Sequence, residues 1–299
     1  MSSSNTCPAC QSSFRKLCGQ KNNLNIYICS NCKSLYTPIG EVTHLFAYDE
    51  YYTEDNELTD SYVPEFINEV MADIIAVFAP YRRNNRLLDV GAGSGNLLAV
   101  ATQAGWQAEG VEVSPHSVDF LKKNNFKIFH GDLHSASFPN DNFDVVTCSE
   151  VIEHVPEPLA LATEMHRILR PGGLLWATTP HGAGISRLLL GTEWTNVAPP
   201  EHLCLFSTKG MENLLKKAGF NQITIEVRGF NPFEIFHNLR NWLIPGKKER
   251  LTGGERVEKG YQLNAALTSS PLRKTVKNSL NEALNITKMG DSMKIWAVK

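Results

Sequence analysis

The stretch Arg86-Leu87-Leu88-Asp89-Val90-Gly91-Ala92-Gly93-Ser94-Gly95-Asn96 constrains this chain more than any other. Leu87, Leu88 and Val90 read as a buried parallel strand, and glycines at three alternate positions let the backbone turn sharply and approach a ligand without Cβ collisions. A strand that ends in such a turn and opens a helix is a seat for a nucleotide. The spacing is GxGxG, with Asn96 where a dinucleotide fingerprint has its third glycine. That glycine would let a helix N-terminus press close behind a pyrophosphate, so its absence argues against such a ligand.

From residue 86 onward, strand and helix patterns alternate. Strands are expected at 86–90, 108–113, 126–129, 143–147 and 173–178, and helices near 95–104, 115–124, 157–169 and 208–218. Such alternation predicts a doubly wound α/β fold, a parallel sheet with helices on both faces and ligands at the carboxyl ends of its strands. Ile223–Val227 and Met293–Val298 are two further β-like segments, and the helical stretches at 232–243 and 271–286 between them read as an insertion over about 229–290. The first of these helices, with Phe233, Phe236 and Trp242, is expected to pack internally. Upstream, Phe66, Ile67, Val70, Met71, Ile74, Ile75 and Phe78 recur at helical spacing between Pro64 and Pro80, after a tyrosine cluster at Tyr48, Tyr51 and Tyr52.

The first 40 residues are a unit of another kind. Cys7-Pro8-Ala9-Cys10 is answered by Cys29-Ser30-Asn31-Cys32 after 18 intervening residues. Two CxxC knuckles at this separation match a zinc ribbon, because each turn points two thiolates inward and four complete a closed tetrahedron around Zn²⁺. A closed shell has no open coordination position, so the expected zinc is structural. The seven cysteines of the chain fit reduced thiols and a metal better than a disulfide framework, and Cys18 reads as a bystander.

Composition adds bounds. With 299 residues and 42% hydrophobic content, the chain can bury a sizeable core. No stretch approaches the roughly 18 apolar residues of a membrane span, and the first residues do not read as a secretory signal, so a cytoplasmic location is expected. The net charge of −2 hides a segregation: residues 1–40 carry four Lys/Arg and no Asp/Glu, residues 228–299 carry thirteen against six, and the part between carries twelve against twenty-five. The acidic centre lacks the continuous basic stripe of a surface that tracks duplex DNA.

Three carboxylates stand where a nucleoside needs them. Asp89 precedes the glycine turn, Glu112 closes Val111-Glu112-Val113, and Asp132 follows the third strand in Gly131-Asp132-Leu133. A carboxylate at the end of the second strand can accept hydrogen bonds from a ribose diol, in NAD enzymes as in others, so Glu112 alone does not choose the cofactor.

The ordered set of motifs makes that choice. Leu87–Gly95, Gly110–Ser114, Gly131–Leu133, Phe143 through Val155, Leu169-Arg170-Pro171-Gly172-Gly173, Trp194, Glu201 through Ser207 and Ala218-Gly219-Phe220 together resemble the class I S-adenosylmethionine-dependent methyltransferases. The chain also resembles the subset with an N-terminal zinc ribbon that methylates nucleotide-linked sugars or other small metabolites. The resemblance implies a Rossmann-like seven-stranded sheet, with a zinc ribbon at 1–40, a helical lead-in at 41–80 and the methyltransferase domain at 81–299. It further implies that Gly91 and Gly93 approach the methionine moiety, Asp89 its ammonium, and Glu112 the ribose hydroxyls. Asp132 and Leu133 would meet the adenine, and Ser149 and Glu150 the methionine end.

A sulfonium methyl is already activated, so transfer depends on holding the nucleophile aligned, with a base where the acceptor must shed a proton. His202, after the fifth strand, is the candidate base, with His181 in reserve; Glu153 and His154 read as turn-fixing residues. The expected reaction is methyl transfer to an oxygen or carbon of a small, anionic metabolite, a nucleotide-linked sugar or glycan intermediate being favoured. An RNA or protein methyltransferase that uses the ribbon for recognition and a non-catalytic zinc-ribbon adaptor are the alternatives. DNA is not an expected partner, and oligomeric state is not legible.

Overall fold

The computed structural model describes residues 6–42, 65–243 and 270–299. The tyrosine cluster at 48–52 and the helix-opening Pro64 lie outside these. The chain divides into two compact units, one drawn from Met1–Val42, Pro180–Met211 and Ile225–Lys294, the other from Thr43–Thr179, Glu212–Thr224 and Ile295–Lys299.

In the N-terminal segment, β1 (Arg15–Lys21) and β2 (Leu24–Cys29) form an antiparallel hairpin through Asn22 and Asn23, both at positive φ, the left-handed geometry that asparagine tolerates best after glycine. β3 (Leu35–Tyr36) pairs with β2, and then with β9 (Cys204–Leu205) from far along the chain. Ile26, Leu35, Trp194, Val197 and Leu205 form the core under this four-stranded sheet. The short α5 (Ile185–Leu190) precedes that segment.

The larger sheet has seven strands in the order β10-β11-β8-β7-β4-β5-β6. These are β4 (Arg86–Val90), β5 (Gln107–Glu112), β6 (Lys127–His130), β7 (Phe143–Ser149), β8 (Leu169–Pro180), β10 (Gln222–Arg228) and β11 (Ser292–Val298). Pairings β4–β5, β4–β7, β5–β6 and β7–β8 are parallel. β8 begins four residues before the expected start because Leu169 pairs with Phe143 directly; the register then shifts across Pro171, Gly172 and Gly173 before Leu174 pairs with Val145.

The helices of this fold are α1 (Glu65–Val77), α2 (Asn96–Gln103), α3 (Pro115–Lys123), α4 (Pro158–Ile168), α6 (Thr208–Ala218), α7 (Pro232–Leu243) and α8 (Pro271–Thr287). α3 starts where Ser114 accepts a hydrogen bond from the Ser117 N–H, with Pro115 at the first helical position. One core joins Ile75 and Phe78 at the end of α1 with Leu97 and Val100 of α2 and with Leu87, Val145, Leu174 and Trp176 of the sheet. A second holds Leu98, Leu121 and Ala92, with Phe126 and Ile128 against them. Each fully buried side chain of this size contributes about 1.5–3 kcal/mol.

α7 and α8 both lie between β10 and β11, where the helical insertion was expected. The expectation that α7 packs its aromatics internally fails for Phe233 and Phe236, and Trp242 lies outside the described side chains. Phe233 and Phe236 are exposed, and it is Glu234 that is buried, accepting a hydrogen bond from the Thr195 N–H at 2.7 Å. A carboxylate that caps a loop amide helps to fix the rotation of the helix, which leaves Phe233 and Phe236 outward; the side chains of Leu239 and Trp242 lie outside the described residues.

The sequence marks Asp144 only as part of a motif, and the structure gives it a larger task. It is fully buried on β7, and its Oδ2 accepts hydrogen bonds from the backbone N–H groups of Arg83 (2.9 Å), Asn84 (2.7 Å) and Asn85 (2.7 Å), the turn that leads into β4. Its Oδ1 accepts from Arg170 Nε at 2.6 Å. Burial alone would push this carboxyl up, but the guanidinium and the backbone donors together outweigh burial and hold it below the usual carboxylate range.

Candidate functional site

The glycine turn sits at the carboxyl ends of β4 and β5. Gly91 N–H donates to Val111 O at 2.9 Å, which seats the turn against β5. Gly91 has φ +75°, and a Cβ there would come within 2.3 Å of Val151 Cγ2; Gly95, at φ +78°, would meet Leu121 at 2.4 Å. Both positions therefore demand glycine for the packing of the turn itself, before any ligand is considered. Gly95 also caps α2, so the turn hands directly into the helix.

Glu112 is the clasp of this arrangement. Its Oε2 accepts from the Gly93 N–H at 2.9 Å, and its Oε1 accepts from the N–H groups of Val113 (2.8 Å) and Ser114 (2.9 Å). A carboxylate offers about four acceptor positions, so one remains for a ribose hydroxyl, where the sequence had suggested a two-bonded diol. Asp89 is buried beneath the turn and accepts from Thr147 Oγ1 at 2.7 Å. Burial, reinforced by the nearby Glu112 charge and opposed by Thr147, pushes its carboxyl up to about 7. Among the described residues no cation pairs with this buried carboxyl, and the ammonium of a bound amino acid is a fitting partner.

The remaining expected residues fall at neighbouring strand ends. Asp132 is exposed and accepts from the Ser135 N–H at 2.7 Å, a bond that lowers its pKa, while Leu133 is buried. Ser149 Oγ lies 2.7 Å from Thr178 Oγ1, which ties the ends of β7 and β8 together. Glu150 has φ +53°, a strained conformation for a side-chain-bearing residue. Glu153 is fully buried: its Oε2 accepts from Thr179 Oγ1 at 2.9 Å, and its Oε1 has no hydrogen-bond partner among the described residues and lies 3.8 Å from His154 Nε2. Burial, with the charge of Glu150 next in importance, pushes the Glu153 carboxyl well up.

His202 belongs to the other unit. Its backbone N–H donates to Ala198 O at 3.0 Å, and its Nδ1 lies 2.6 Å from Asn196 O, so the ring closes the loop that follows Trp194. Assigning that Nδ1 as the donor leaves the ring lone pair on Nε2, the atom a general base needs. His181 is buried, with Nδ1 2.8 Å from Gly290 O.

The four ribbon cysteines come together. One sulfur each from Cys7, Cys10, Cys29 and Cys32 lies within 4.8 Å of the others, with Cys7–Cys32 at 3.6 Å and Cys10–Cys29 at 3.5 Å. Zn–S bonds of about 2.3 Å in a tetrahedron place sulfurs roughly 3.8 Å apart, so this donor set fits zinc with little movement. The residue after each knuckle, Gln11 at φ +63° and Lys33 at φ +68°, makes the left-handed turn that points both thiols inward. The hydrogen bond between Cys7 and Cys32 lowers the Cys32 thiol and raises that of Cys7. Cys18 is exposed and stands outside the cluster.

A family model described as a methyltransferase domain matches residues 63–225, more than half of the chain. The chain belongs to the class I S-adenosylmethionine-dependent methyltransferases. The fold agrees: the chain is similar to a phosphoethanolamine N-methyltransferase 2 of Haemonchus contortus, solved with S-adenosyl-L-methionine, at a TM-score of 0.54 and 19% identity over 96% of this chain and 71% of that one. An S-adenosylmethionine-dependent methyltransferase of Archaeoglobus fulgidus gives 0.51 at 18% identity, over 78% of this chain and 94% of that one. Among curated relatives, a ubiquinone biosynthesis O-methyltransferase of Thiobacillus denitrificans is 25% identical over 183 residues, 55% of this chain and 78% of the relative. The same-named protein of Xanthomonas campestris is 33% identical over 102 residues, 31% of this chain and 42% of its own length. Among the described residues of this methyltransferase, no helix is long and apolar enough to cross a membrane.

Proposed function

We propose that this methyltransferase moves a methyl group from S-adenosylmethionine to a hydroxyl oxygen of a small metabolite, acting in the cytoplasm. The observation that carries the reading is Asp89, a buried carboxyl with no cation partner among the described residues, beneath a turn clasped by Glu112. In this assignment Asp89 takes the ammonium of the methionine moiety, and Gly91 and Gly93 let the backbone lie against it. Glu112 offers its remaining acceptor position to the ribose. Asp132 and Leu133 border the adenine, and Ser149 and Glu150 the methionine end. When bound, the cofactor supplies a methyl group activated on sulfonium sulfur. His202 is the proposed base, taking the hydroxyl proton on Nε2.

An oxygen acceptor is preferred to carbon because the curated relatives are named O-methyltransferases. Their name points to hydroxylated precursors of a quinone, and a nucleotide-linked sugar has no such support. We also propose that Cys7, Cys10, Cys29 and Cys32 hold a structural Zn²⁺, and we keep the ribbon at 1–40, the lead-in at 41–80 and the methyltransferase domain at 81–299 as the working division.

The test is to incubate metal-replete protein and methyl-labelled cofactor with quinol-like phenols, nucleotide-linked sugars and total RNA. Label in a small hydroxylated acceptor is expected, and label in RNA alone would overturn the reading. Glu112→Ala should weaken cofactor binding about 100-fold, losing a ribose contact and the clasp on Gly93 together. His202→Ala should slow turnover with cofactor affinity unchanged, and equal rates would remove it as the base.

A further inference from the structure

The loop that carries His202 is tied to the N-terminal segment at both ends and in the middle. Lys21 Nζ donates to Trp194 O at 3.0 Å, Asn22 Nδ2 donates to Pro199 O at 2.7 Å, and the Thr37 N–H donates to Leu203 O at 3.0 Å. Trp194 and Val197 pack with Ile26 and Leu35 in the core under the four-stranded sheet. Between the anchored carbonyls of Trp194 and Pro199 lie the two that hold His202: Asn196 O, 2.6 Å from Nδ1, and Ala198 O, 3.0 Å from the backbone N. A carbonyl only accepts, so the bond to Nδ1 selects the tautomer with its lone pair on Nε2. Lys21 and Asn22 therefore bracket the peptide that chooses the tautomer. The hairpin turn itself asks only for left-handed backbone at its two central residues, Asn22 at φ +52° and Asn23 at φ +61°, which glycine would supply equally well. The Asn22 amide adds a donor aimed at the loop.

We propose that Lys21 and Asn22, at the tip of the N-terminal hairpin, are positioning residues for His202. By fixing the Trp194 and Pro199 carbonyls they hold the loop in the conformation that keeps the Nε2 lone pair available, which gives the ribbon a part in the transfer step itself. The proposal rests on the reading of His202 as the base. A base must be bare at the reacting nitrogen and held in line with the proton it takes, and a half-buried ring on a loop has neither property without support from its surroundings. Glu234 holds the same stretch through the Thr195 N–H, so its carbonyls are what the hairpin tip decides.

The test reads the ring directly. The full chain with its metal is labelled with isotopic histidine, and its imidazole nitrogens are recorded by long-range proton–nitrogen correlation at about pH 8, where an ordinary imidazole is neutral. The His202 signals are those missing from His202→Ala. The wild type is expected to show a single tautomer, protonated on Nδ1 and bare on Nε2. Asn22→Gly keeps the left-handed turn and removes one donor, and Lys21→Met keeps most of the stem and removes the other. Each should move the two nitrogen signals toward one another as the ring exchanges between tautomers, and the double variant should move them further. Asn23→Gly adds the same turn flexibility without removing the donor to Pro199, and should leave them in place. Melting temperature and cofactor affinity should stay at wild-type values, while transfer of labelled methyl to quinol-like phenols slows about tenfold in the double variant. Unmoved His202 signals in the double variant would overturn the proposal, and so would an equal displacement in Asn23→Gly. Failure of the underlying reading looks different: His202→Ala would then transfer label at the wild-type rate.

Discussion

Asp144→Asn removes one charge from the most heavily bonded carboxylate described above, and the loss can be worked from its partners. The amide keeps an oxygen that can accept from the turn at Arg83–Asn85, but it no longer neutralises Arg170, which is itself buried with Nε 2.6 Å from the carboxylate. Removing one partner of a buried ion pair costs about 3–5 kcal/mol, most of it from the charge left behind. For a domain of this size each kcal/mol lowers the midpoint by roughly 2–4 °C, so a fall of about 10 °C is expected. Equilibrium urea unfolding followed by circular dichroism measures the free energy directly, and a shift in midpoint at constant slope would show that stability alone has changed. The pH dependence supplies an independent check. The folded pKa lies below the unfolded value of about 3.9, so the wild type's advantage is complete above that value and disappears as pH falls through the folded pKa. A loss under about 1 kcal/mol at pH 7, or a difference between the proteins that persists undiminished at pH 2, would refute this account.

Gly91→Ala should cost more than 2 kcal/mol and reduce cofactor affinity, because it combines a left-handed residue with the clash at Val151. The double variant with Val151→Ala should recover the steric part, and a double variant no better than the single one would count against the clash. Asp89 is raised to about 7, so its protonation favours the cofactor-free fold: that contribution is complete below the unfolded pKa and is lost as pH rises through 7. Cofactor binding, which favours the ionised form, should therefore strengthen by up to tenfold per pH unit between 5 and about 7, with proton release seen in calorimetry as a buffer-dependent heat; Asp89→Asn should flatten the profile. Plasma emission spectrometry should find one zinc per chain, lost in Cys32→Ser and retained in Cys18→Ser, with zinc in Cys32→Ser at the wild-type level as the contrary result.

What the sequence revealed and what it hid divide along a physical line. The strand Arg86–Val90, the glycine turn and the carboxylate closing the next strand were legible because each rests on local chemistry: apolar runs, glycine's access to positive φ, and a strand end where polar groups must find partners. The knuckles were legible because two residues between cysteines set a turn. β9 was hidden, since a strand of two residues has no period and exists only through its pairing with Leu35 and Tyr36. Asp144 was hidden because its donors lie in a turn some way back in sequence and in Arg170, and nothing local marks a carboxylate for that task. The orientation of α7 and α8 was hidden for a third reason. Periodicity tells which residues share a helix face, but the rotation of that face depends on polar anchors, Glu234 to Thr195 and Asn285 to Val227, that a pattern of apolar residues does not reveal.

The pairing of β3 with β9 has a consequence for how the polypeptide matures. Ser207 N–H donates to Ser34 Oγ, and Ser207 Oγ donates to Cys32 O, 175 residues away along the chain. During synthesis the cysteine knuckles emerge long before the segment that finishes their sheet. The four-stranded sheet beside the cysteine cluster is therefore completed only once the ribosome has delivered Ser207.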